Sequence, residues 1–529
     1  MTLHIIGIES RFNNQRSKQG FLAVFNSIIT LAKTDAMNVL LIYPEFPDTF
    51  WSFKHALKFI RKKSSFPPLG LLTIAAMLPK EWSLRLVDAN ATKLTDKDLK
   101  WADYAFFSSM VVQRTSAYQL IRRCKDAGIK IVAGGPLFTS EYEHFKDVDH
   151  FVLNEGEITV PPFLEDLKNG CAKPIYKTPE FADIRETPAP LWKLADLKNY
   201  ASMSIQYTRG CPYQCEFCDV TALFGRRTRT KNTDQIIAEL DTFYNQGWRG
   251  NVFFVDDNLI GNRRSLKQDL LPALIKWQTD HPGVTFNTEV SINLAKDESL
   301  MQMMFDAGFN TVFVGIETPD TDSLDECGKK QNKDRDLAED VRIIQRAGLQ
   351  VQAGFIVGFD NDTPSIFQRQ IDFIQKTGIV TAMVGLLQAP TGTKLYDRLK
   401  KEGRLLGLMT GDNADGSTNI IPNNMDADTC REGYKKILRH IYSPDNYYKR
   451  IMTLFKEYKS PKIKSRIKFE HIVGLVSSIY HLGIMGKERV QFWNLLLWTT
   501  VHRRELFPLA VTLAVYGYHF RKISELHIL

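Results

Sequence analysis

Two long regions of the chain alternate short apolar runs with amphipathic stretches. In the first region, residues 37–170, the apolar runs are NVLLIYP, LRLVDAN, DYAFFSSM, IKIVAGGP and DHFVLNEGE. Short runs without polar alternation, closed by turn residues, are typical of parallel strands buried on both faces. The stretches between them have helical spacing, so the pattern predicts a doubly wound, Rossmann-like α/β domain that binds its ligand at the strands' carboxyl ends.

Small and polar residues follow three of these predicted strands. They are Ser108, Ser109, Gly134, Gly135, Glu155 and Gly156. Glycines at this edge let a large flat ligand approach the backbone closely. No G-x-G-x-x-G follows the first strand, which disfavours a dinucleotide. We therefore expect these six residues to bind another large ligand.

The second alternating region, residues 201–424, has six apolar runs. They are SIQYTRG, NVFFVDDN, VTFNTEVSI, TVFVGIET, VQAGFIVGF and TAMVGLLQAP. A helical pattern follows each run, which predicts a partial or complete TIM-like barrel with its chemistry on the loops after the strands. Residues 171–200 contain four prolines and little periodicity, and they are expected to form a linker.

The ends of the chain follow other patterns. Residues 425–529 are helical in spacing, aromatic and basic, which predicts a helical domain packed on the barrel. Its run LFPLAVTLAVYGYHF is shorter than the ~20 residues of a membrane span. Flanking Arg503, Arg504, Arg521 and Lys522 leave a peripheral membrane contact as the alternative. Residues 1–36 are expected to be an extension that adds nothing to the core.

Charge and cysteine content narrow the class of protein. The net charge of +8 is mild for 529 residues and favours a solvated surface over nucleic-acid binding. The chain has seven cysteines, an odd and low number that disfavours a disulfide framework and indicates a reducing cytosol. Cys124, Cys171, Cys327 and Cys430 are scattered. Among them, Cys327 follows a candidate active-site strand.

The other three cysteines lie within eight residues, in the stretch YTRGCPYQCEFCDVTALFGRR. Cys211, Cys215 and Cys218 follow the first strand of the predicted barrel. Structural zinc usually takes four ligands, and neither a second cysteine pair nor a nearby histidine completes such a set. A redox-active C-x-x-C motif needs two thiols, so it does not account for the third cysteine. Three thiolates fit a [4Fe–4S] cluster that keeps one iron open for another ligand.

The spacing C-x-x-x-C-x-x-C after the first strand of a βα barrel, with Phe217 before the last cysteine, resembles the radical S-adenosylmethionine superfamily. The resemblance implies a cluster on Cys211, Cys215 and Cys218 whose open iron binds S-adenosylmethionine. An electron from such a cluster cleaves the sulfonium to a 5′-deoxyadenosyl radical. A reductase, ferredoxin or flavodoxin is the implied electron donor.

The same resemblance implies a binding site for S-adenosylmethionine along the later strands. FFVDDN stands where the family's second strand contacts the amino group, although it lacks the usual Gly-Gly-Glu. TEVSI matches the ribose and carboxylate positions, while VGIET and GFIVGF resemble strands beside the adenine. The implied binding residues are Asp256, Asp257, Asn258, Glu289, Ser291, Gly315, Glu317, Ile356 and Gly358.

The first region resembles the cobalamin-binding domain of class B radical enzymes, through FPPLGLLTIAAML, AGGP and NEGE. This implies cobalamin as a second cofactor, held by the six residues at the first sheet's edge. A D-x-H-x-x-G motif is absent, so base-off binding without a protein histidine is implied. His150 lacks the required spacing and is expected to be structural.

The resemblance spans residues 37–460 and is greatest to a subgroup with an uncharacterised helical C-terminal domain that includes the hopanoid 2-methylases. It implies a monomeric enzyme that methylates an unactivated carbon of a hydrophobic, isoprenoid or hopanoid-like small molecule. A non-methylating class B enzyme, such as an oxidative cyclase or ring-rearranging enzyme, is an alternative. A cobalamin or redox sensor is another. A tRNA methylthiotransferase is disfavoured, because residues 37–170 contain Cys124 and no other cysteine.

Overall fold

The computed structural model of the chain describes residues 36–460 and 469–528. Nearly all of the predicted N-terminal extension, residues 1–35, lies outside the described residues. Two parallel six-stranded sheets organise the described chain, one in each of the alternating regions.

The first sheet is doubly wound, with the strand order β2-β1-β3-β4-β5-β6, and all of its pairings are parallel. Its strands are β1 Asn38–Tyr43, β2 Ser83–Asp88, β3 Tyr104–Ser108, β4 Lys130–Gly134, β5 His150–Val152 and β6 Ile175–Tyr176. The five predicted strands are present. β6 lies within the predicted linker and pairs with β5, so the linker prediction missed a strand that is too short to show a period.

Helices cover both faces of this sheet. The helices of the region are α1 Lys54–Leu57, α2 Leu69–Met77, α3 Asp96–Trp101, α4 Arg114–Asp126, α5 Pro136–Glu141 and α6 Gly156–Lys168. Of these, α1 packs against the C-terminal helix Phe507–His527 instead of the sheet. α2 and α6 pack on one face through Leu71 and Phe163, and α4 and α5 pack on the other through Ile121 and Phe138. Because both faces are buried, the central strands β1, β3 and β4 are continuously apolar, as the sequence pattern predicted. The edge strand β2 instead alternates exposed and half-buried residues before its buried end.

The second sheet has the order β14-β13-β12-β11-β10-β7 and is also parallel throughout. Its strands are β7 Ser202–Ile205, β10 Asn251–Phe254, β11 Thr285–Val290, β12 Phe309–Glu317, β13 Gln350–Val357 and β14 Ala382–Leu386. Within the described chain β7 and β14 do not pair, so the sheet is a partial barrel. The predicted α/β fold class is confirmed.

A short antiparallel hairpin, β8 Thr208–Arg209 and β9 Arg229–Thr230, follows β7 and encloses the cysteine loop. The barrel helices are α7 Val220–Phe224, α8 Thr233–Asn245, α9 Arg263–Ser265, α10 Leu271–Asp280, α11 Glu298–Asp306, α12 Thr321–Glu326, α13 Leu337–Arg346, α14 Ser365–Thr377 and α15 Lys394–Lys401. The hairpin holds the cysteines beside the carboxyl ends of the barrel strands.

The C-terminal region is helical, as predicted. Its helices are α16 Ala427–Ile441, α17 Pro444–Glu457, α18 Phe469–Ser478, α19 Arg489–His502 and α20 Phe507–His527, with a π-helical turn Ile479–Ile484 after α18. These helices share one hydrophobic core with the barrel. The apolar run of the sequence is α20, whose His519 Nε2 lies 3.0 Å from the Phe50 carbonyl oxygen. No helix in residues 36–460 and 469–528 has the length and apolarity to cross a bilayer.

Candidate functional site

The cysteine loop is positioned by the β8–β9 hairpin and the strand beside it. Gly210, immediately before Cys211, has φ +91°, and a Cβ there would lie 2.7 Å from the Arg227 carbonyl oxygen. The position therefore requires glycine. The Gly210 N–H donates to Asp257 Oδ2 at 2.8 Å, which ties the loop to the carboxyl end of β10.

The three thiols belong to one loop and are half-buried. Burial raises the pKa of the Cys211 and Cys218 thiols, and the charges of Asp257 and Asp219, respectively, raise them further. These two thiols are therefore protonated without a metal, and metal binding would release their protons. In the described chain no three His, Cys, Asp or Glu side chains are close enough to share one metal ion. The thiols still fit a cubane cluster, in which each thiolate binds a different iron.

A buried cation beside this loop was missed by the sequence analysis. The Lys329 ammonium pairs with the Glu317 carboxylate, and the charges of Glu317 and Cys215 raise the pKa of Lys329. A Cβ on Gly315 would overlap both charged groups, which explains the glycine. Gln331 Nε2 lies 3.7 Å from Cys215 Sγ. Lys329 and Gln331 belong to the stretch CGKKQN, which begins at Cys327. Only the tertiary fold brings this stretch close to the cysteine loop.

Three acids from β11 and the end of β10 form a second group, in which Asp256 is buried and Asp257 and Glu289 are half-buried. Burial is the main cause that raises the pKa of Asp256 to about 7, of Asp257 to about 6 and of Glu289 to about 8. Asp256 and Asp257 raise the pKa of Glu289 further. One oxygen of Asp256 accepts the Tyr207 N–H at 3.1 Å, while Oδ2 has no partner in the described chain. A bound ammonium group would compensate the negative charge of these three carboxylates.

Glu289 should make the cofactor-free protein less stable as pH rises. The folded chain keeps this proton up to about pH 8, whereas the ordinary value is 4.5. Unfolding at intermediate pH therefore releases a proton, so stability falls between these values, by at most about 1.4 kcal/mol per pH unit. We expect thermal midpoints measured from pH 5 to 8 to decline, and Glu289→Gln to flatten that decline. The exposed Glu180→Gln is the control, and an unchanged slope in Glu289→Gln would refute the assignment.

The remaining predicted barrel residues lie at the carboxyl ends of their strands. Asn258 Oδ1 accepts the Ser291 N–H at 3.0 Å, and the buried Ser291 Oγ has no partner in the described chain. Phe217 and Ile356 belong to one apolar cluster beside the cysteine loop. The Gly358 N–H donates to Asp362 Oδ2 at 2.9 Å, and Gly358 has φ +102°. The structure thus brings these predicted residues to the same end of the barrel.

A cavity of about 810 Å³ separates the carboxyl edge of the first sheet from the barrel. All six residues predicted at that edge line it: Ser108, Ser109, Gly134, Gly135, Glu155 and Gly156. Glu289 lines it from the barrel side. The buried Ser109 Oγ and Asn154 Oδ1 have no hydrogen-bond partner within residues 36–460 and 469–528. A large ligand with polar edges fits such a cradle.

Part of the cavity wall was missed by the sequence analysis. Trp51 and Asn413 line the cavity from segments that carry no recognisable motif. Phe66 and Asn154 line it from the segments FPPLGLLTIAAML and NEGE, and Asn154 has φ +64°. His150, at the start of β5, places Nδ1 2.8 Å from the Lys173 carbonyl oxygen. The described residues that line the cavity include no histidine.

The chain matches two sequence families. Residues 205–374 match the radical SAM superfamily, and residues 393–528 match a domain of unknown function, DUF4070. The first match contains the cysteine loop and the acids of β10 and β11. The second contains the C-terminal helices.

Two relatives extend over nearly the whole chain. An uncharacterized methyltransferase of Synechocystis sp. is 40% identical over 497 residues, covering 93% of this chain and 92% of the relative. The hopanoid C-2 methylase of Rhodopseudomonas palustris is 35% identical over 474 residues, covering 87% and 88%.

A solved structure has a similar fold. It is the cobalamin-dependent S-adenosylmethionine radical enzyme OxsB with aqua-cobalamin and S-adenosylmethionine bound. The similarity covers 93% of this chain and 80% of that one, with a TM-score of 0.60 and 14% identity. At this identity the likeness concerns the fold.

Proposed function

Because the chain belongs to the cobalamin-binding radical S-adenosylmethionine enzymes, in the subgroup that includes the hopanoid C-2 methylase, we propose that it methylates an unactivated carbon of a hydrophobic small molecule. The observation that carries this proposal is the cavity of about 810 Å³ between the two sheets. It is lined by the predicted cobalamin residues on one side and by Glu289 on the other. A substrate in it would lie between the edge of the first sheet and Glu289.

The residues present fit the cofactors of the family. Cys211, Cys215 and Cys218 would hold a [4Fe–4S] cluster, and the acids Asp256, Asp257 and Glu289 would face the amino group of S-adenosylmethionine. When bound, the cofactors supply a hydrogen-abstracting deoxyadenosyl group and a transferable methyl group on cobalt. Ser108, Ser109 and Gly135 at the first sheet's edge would hold the cobalamin.

The cavity walls indicate the chemical class of the substrate. Aromatic and aliphatic side chains dominate the lining outside the polar edge, among them Trp51, Phe66 and Phe253. Such a lining binds the apolar surface of a ligand and excludes water from its reacting carbon. We propose an isoprenoid-type lipid as the substrate and a reduced ferredoxin or flavodoxin as the electron donor.

Transfer of a labelled methyl group tests the proposed reaction. The chain would be purified without oxygen, reconstituted with iron, sulfide and cobalamin, and incubated with reductant, lipid extract and methyl-deuterated S-adenosylmethionine. We expect a deuterium-labelled lipid together with 5′-deoxyadenosine, both measured by mass spectrometry. 5′-Deoxyadenosine without a labelled product would instead favour a cyclase or ring rearrangement. Absence of both products would favour a sensor.

A further inference from the structure

Two C-terminal helices expose rows of apolar side chains to solvent. α18 with its π-helical turn exposes Ile472, Val476, Tyr480 and Ile484, and α19 exposes Val490, Trp493, Leu497 and Val501. Each aliphatic member has between 51% and 71% of its surface exposed. The spacing of three or four residues places each row along one face of its helix. We call these eight residues the apolar surface.

The two rows meet at one point. The Trp493 indole N–H donates to the Gly483 carbonyl oxygen at 3.0 Å, next to Ile484. The opposite face of α19 is also apolar, because Phe492, Leu495 and Leu496 are buried in the core. A contiguous row of exposed apolar side chains usually marks an interaction site. Within the described chain nothing covers the exposed row of α19.

Charges around the apolar surface are predominantly positive. Lys487, Arg489 and Arg504 are exposed beside it. Three nearby acids are paired: Glu470 with Lys62 at 3.1 Å, the buried Glu488 with Arg521 at 2.7 Å and Glu505 with Arg503 at 2.5 Å. A fourth acid, Asp445, accepts a hydrogen bond from Gln491 of α19 at 2.7 Å. The surface is thus apolar at its centre and cationic at its edge.

We propose that the apolar surface docks on an anionic lipid bilayer, with α18 and α19 lying in the interface. Buried apolar side chains and cations facing lipid headgroups are the two contributions that hold an interfacial helix. Trp493 and Tyr480 are residue types that favour this depth. A second copy of the chain fits less well, because a symmetric dimer would bring the cationic edges together.

The docked face adjoins the wall of the cavity. α18 lies against residues 58–62, where Gly474 permits close approach to Ile60 and Glu470 pairs with Lys62. Immediately afterwards, Ser64, Ser65 and Phe66 line the cavity. The segment 58–66 therefore connects the docked face to the cavity wall, and we propose that a lipid enters the cavity beside it. This last step rests on the proposed function, whereas docking itself does not.

Vesicle binding of the full-length chain tests the docking without any assay of activity. Co-sedimentation would use phosphatidylcholine vesicles with and without phosphatidylglycerol. We expect binding that requires phosphatidylglycerol, and a loss of at least about tenfold in affinity for Leu497→Glu/Val501→Glu. The matched control is Leu406→Glu, because Leu406 and Leu497 are both 62% exposed. Circular dichroism would verify that all three proteins are folded.

Three results would overturn the proposal. They are absence of vesicle binding by the unaltered chain, equal binding to neutral and anionic vesicles, and equal loss of binding in Leu406→Glu. A stable dimer in analytical ultracentrifugation that Leu497→Glu/Val501→Glu dissociates, without vesicle binding, would assign the surface to a second copy. Methyl transfer to a detergent-solubilised substrate is measured separately, so failure of docking and failure of the proposed reaction are distinguishable.

Discussion

The Cys215→Ala variant is expected to lose the iron–sulfur cluster and methyl transfer while remaining folded. Cys215 is the central thiol of the loop, and Gln331 Nε2 lies 3.7 Å from its sulfur. Two remaining thiols cannot hold three corners of a cubane. We expect at least a thousandfold (~10³) loss of activity, because radical cleavage depends on that cluster.

Bound iron, visible absorbance and 5′-deoxyadenosine formation would measure this loss, and cobalamin retention would show that the first sheet and its cavity are intact. Cys171→Ala is the matched control, because Cys171 is exposed and lies outside the loop. Methyl transfer by Cys215→Ala at an undiminished rate would contradict the cluster assignment.

The second large effect is expected from Glu155→Gln, through stability. The Glu155 side chain is 1% exposed, and its carboxylate binds both guanidinium nitrogens of Arg229, at 2.5 and 2.7 Å. It also lies 3.3 Å from Arg209 and accepts the Ala182 N–H at 2.8 Å. Both arginines belong to the β8–β9 hairpin. Glu155 therefore joins the first sheet's edge to the hairpin that holds the cysteines.

Glu155→Gln leaves the Arg229 guanidinium without its carboxylate partner, which costs about 3–5 kcal/mol, whereas Arg209 keeps its ion pair with Glu157 at 3.0 Å. We expect a clearly lower midpoint of thermal unfolding and weaker retention of the cluster. Asp126→Asn is the control, since its ion pair with Arg122 is 60–68% exposed and contributes below about 1 kcal/mol.

A double variant separates the charge effect from packing. In Glu155→Met/Arg229→Met the unpaired charge at Arg229 is removed, so part of the stability should return. If the thermal unfolding midpoint of Glu155→Gln equals that of the unaltered chain, the Glu155–Arg229 pair does not stabilise the contact between the first sheet and the β8–β9 hairpin.

Local pattern was enough to predict most strands. The runs around Leu40 and Phe107 are buried on both faces, so their apolar character is a property of the segment itself. The run around Val314 alternates buried and half-buried residues, which is an equally local pattern. The cysteine spacing is local in the same way, since one loop contains all three thiols. β6 was missed because its two residues, Ile175 and Tyr176, are strand only through pairing with β5.

By itself, the sequence determined the two alternating α/β regions, the helical C-terminus and the three thiols with one open position. Tertiary structure decided which charges meet: Lys329 with Glu317 beside the cysteines, and Glu155 with two arginines of the hairpin. It also decided which apolar helix is covered, since α20 is buried while α18 and α19 expose their rows. The physical reason is that periodicity and spacing act within a few residues. Pairing and burial depend on segments far apart in the chain, and only folding brings those together.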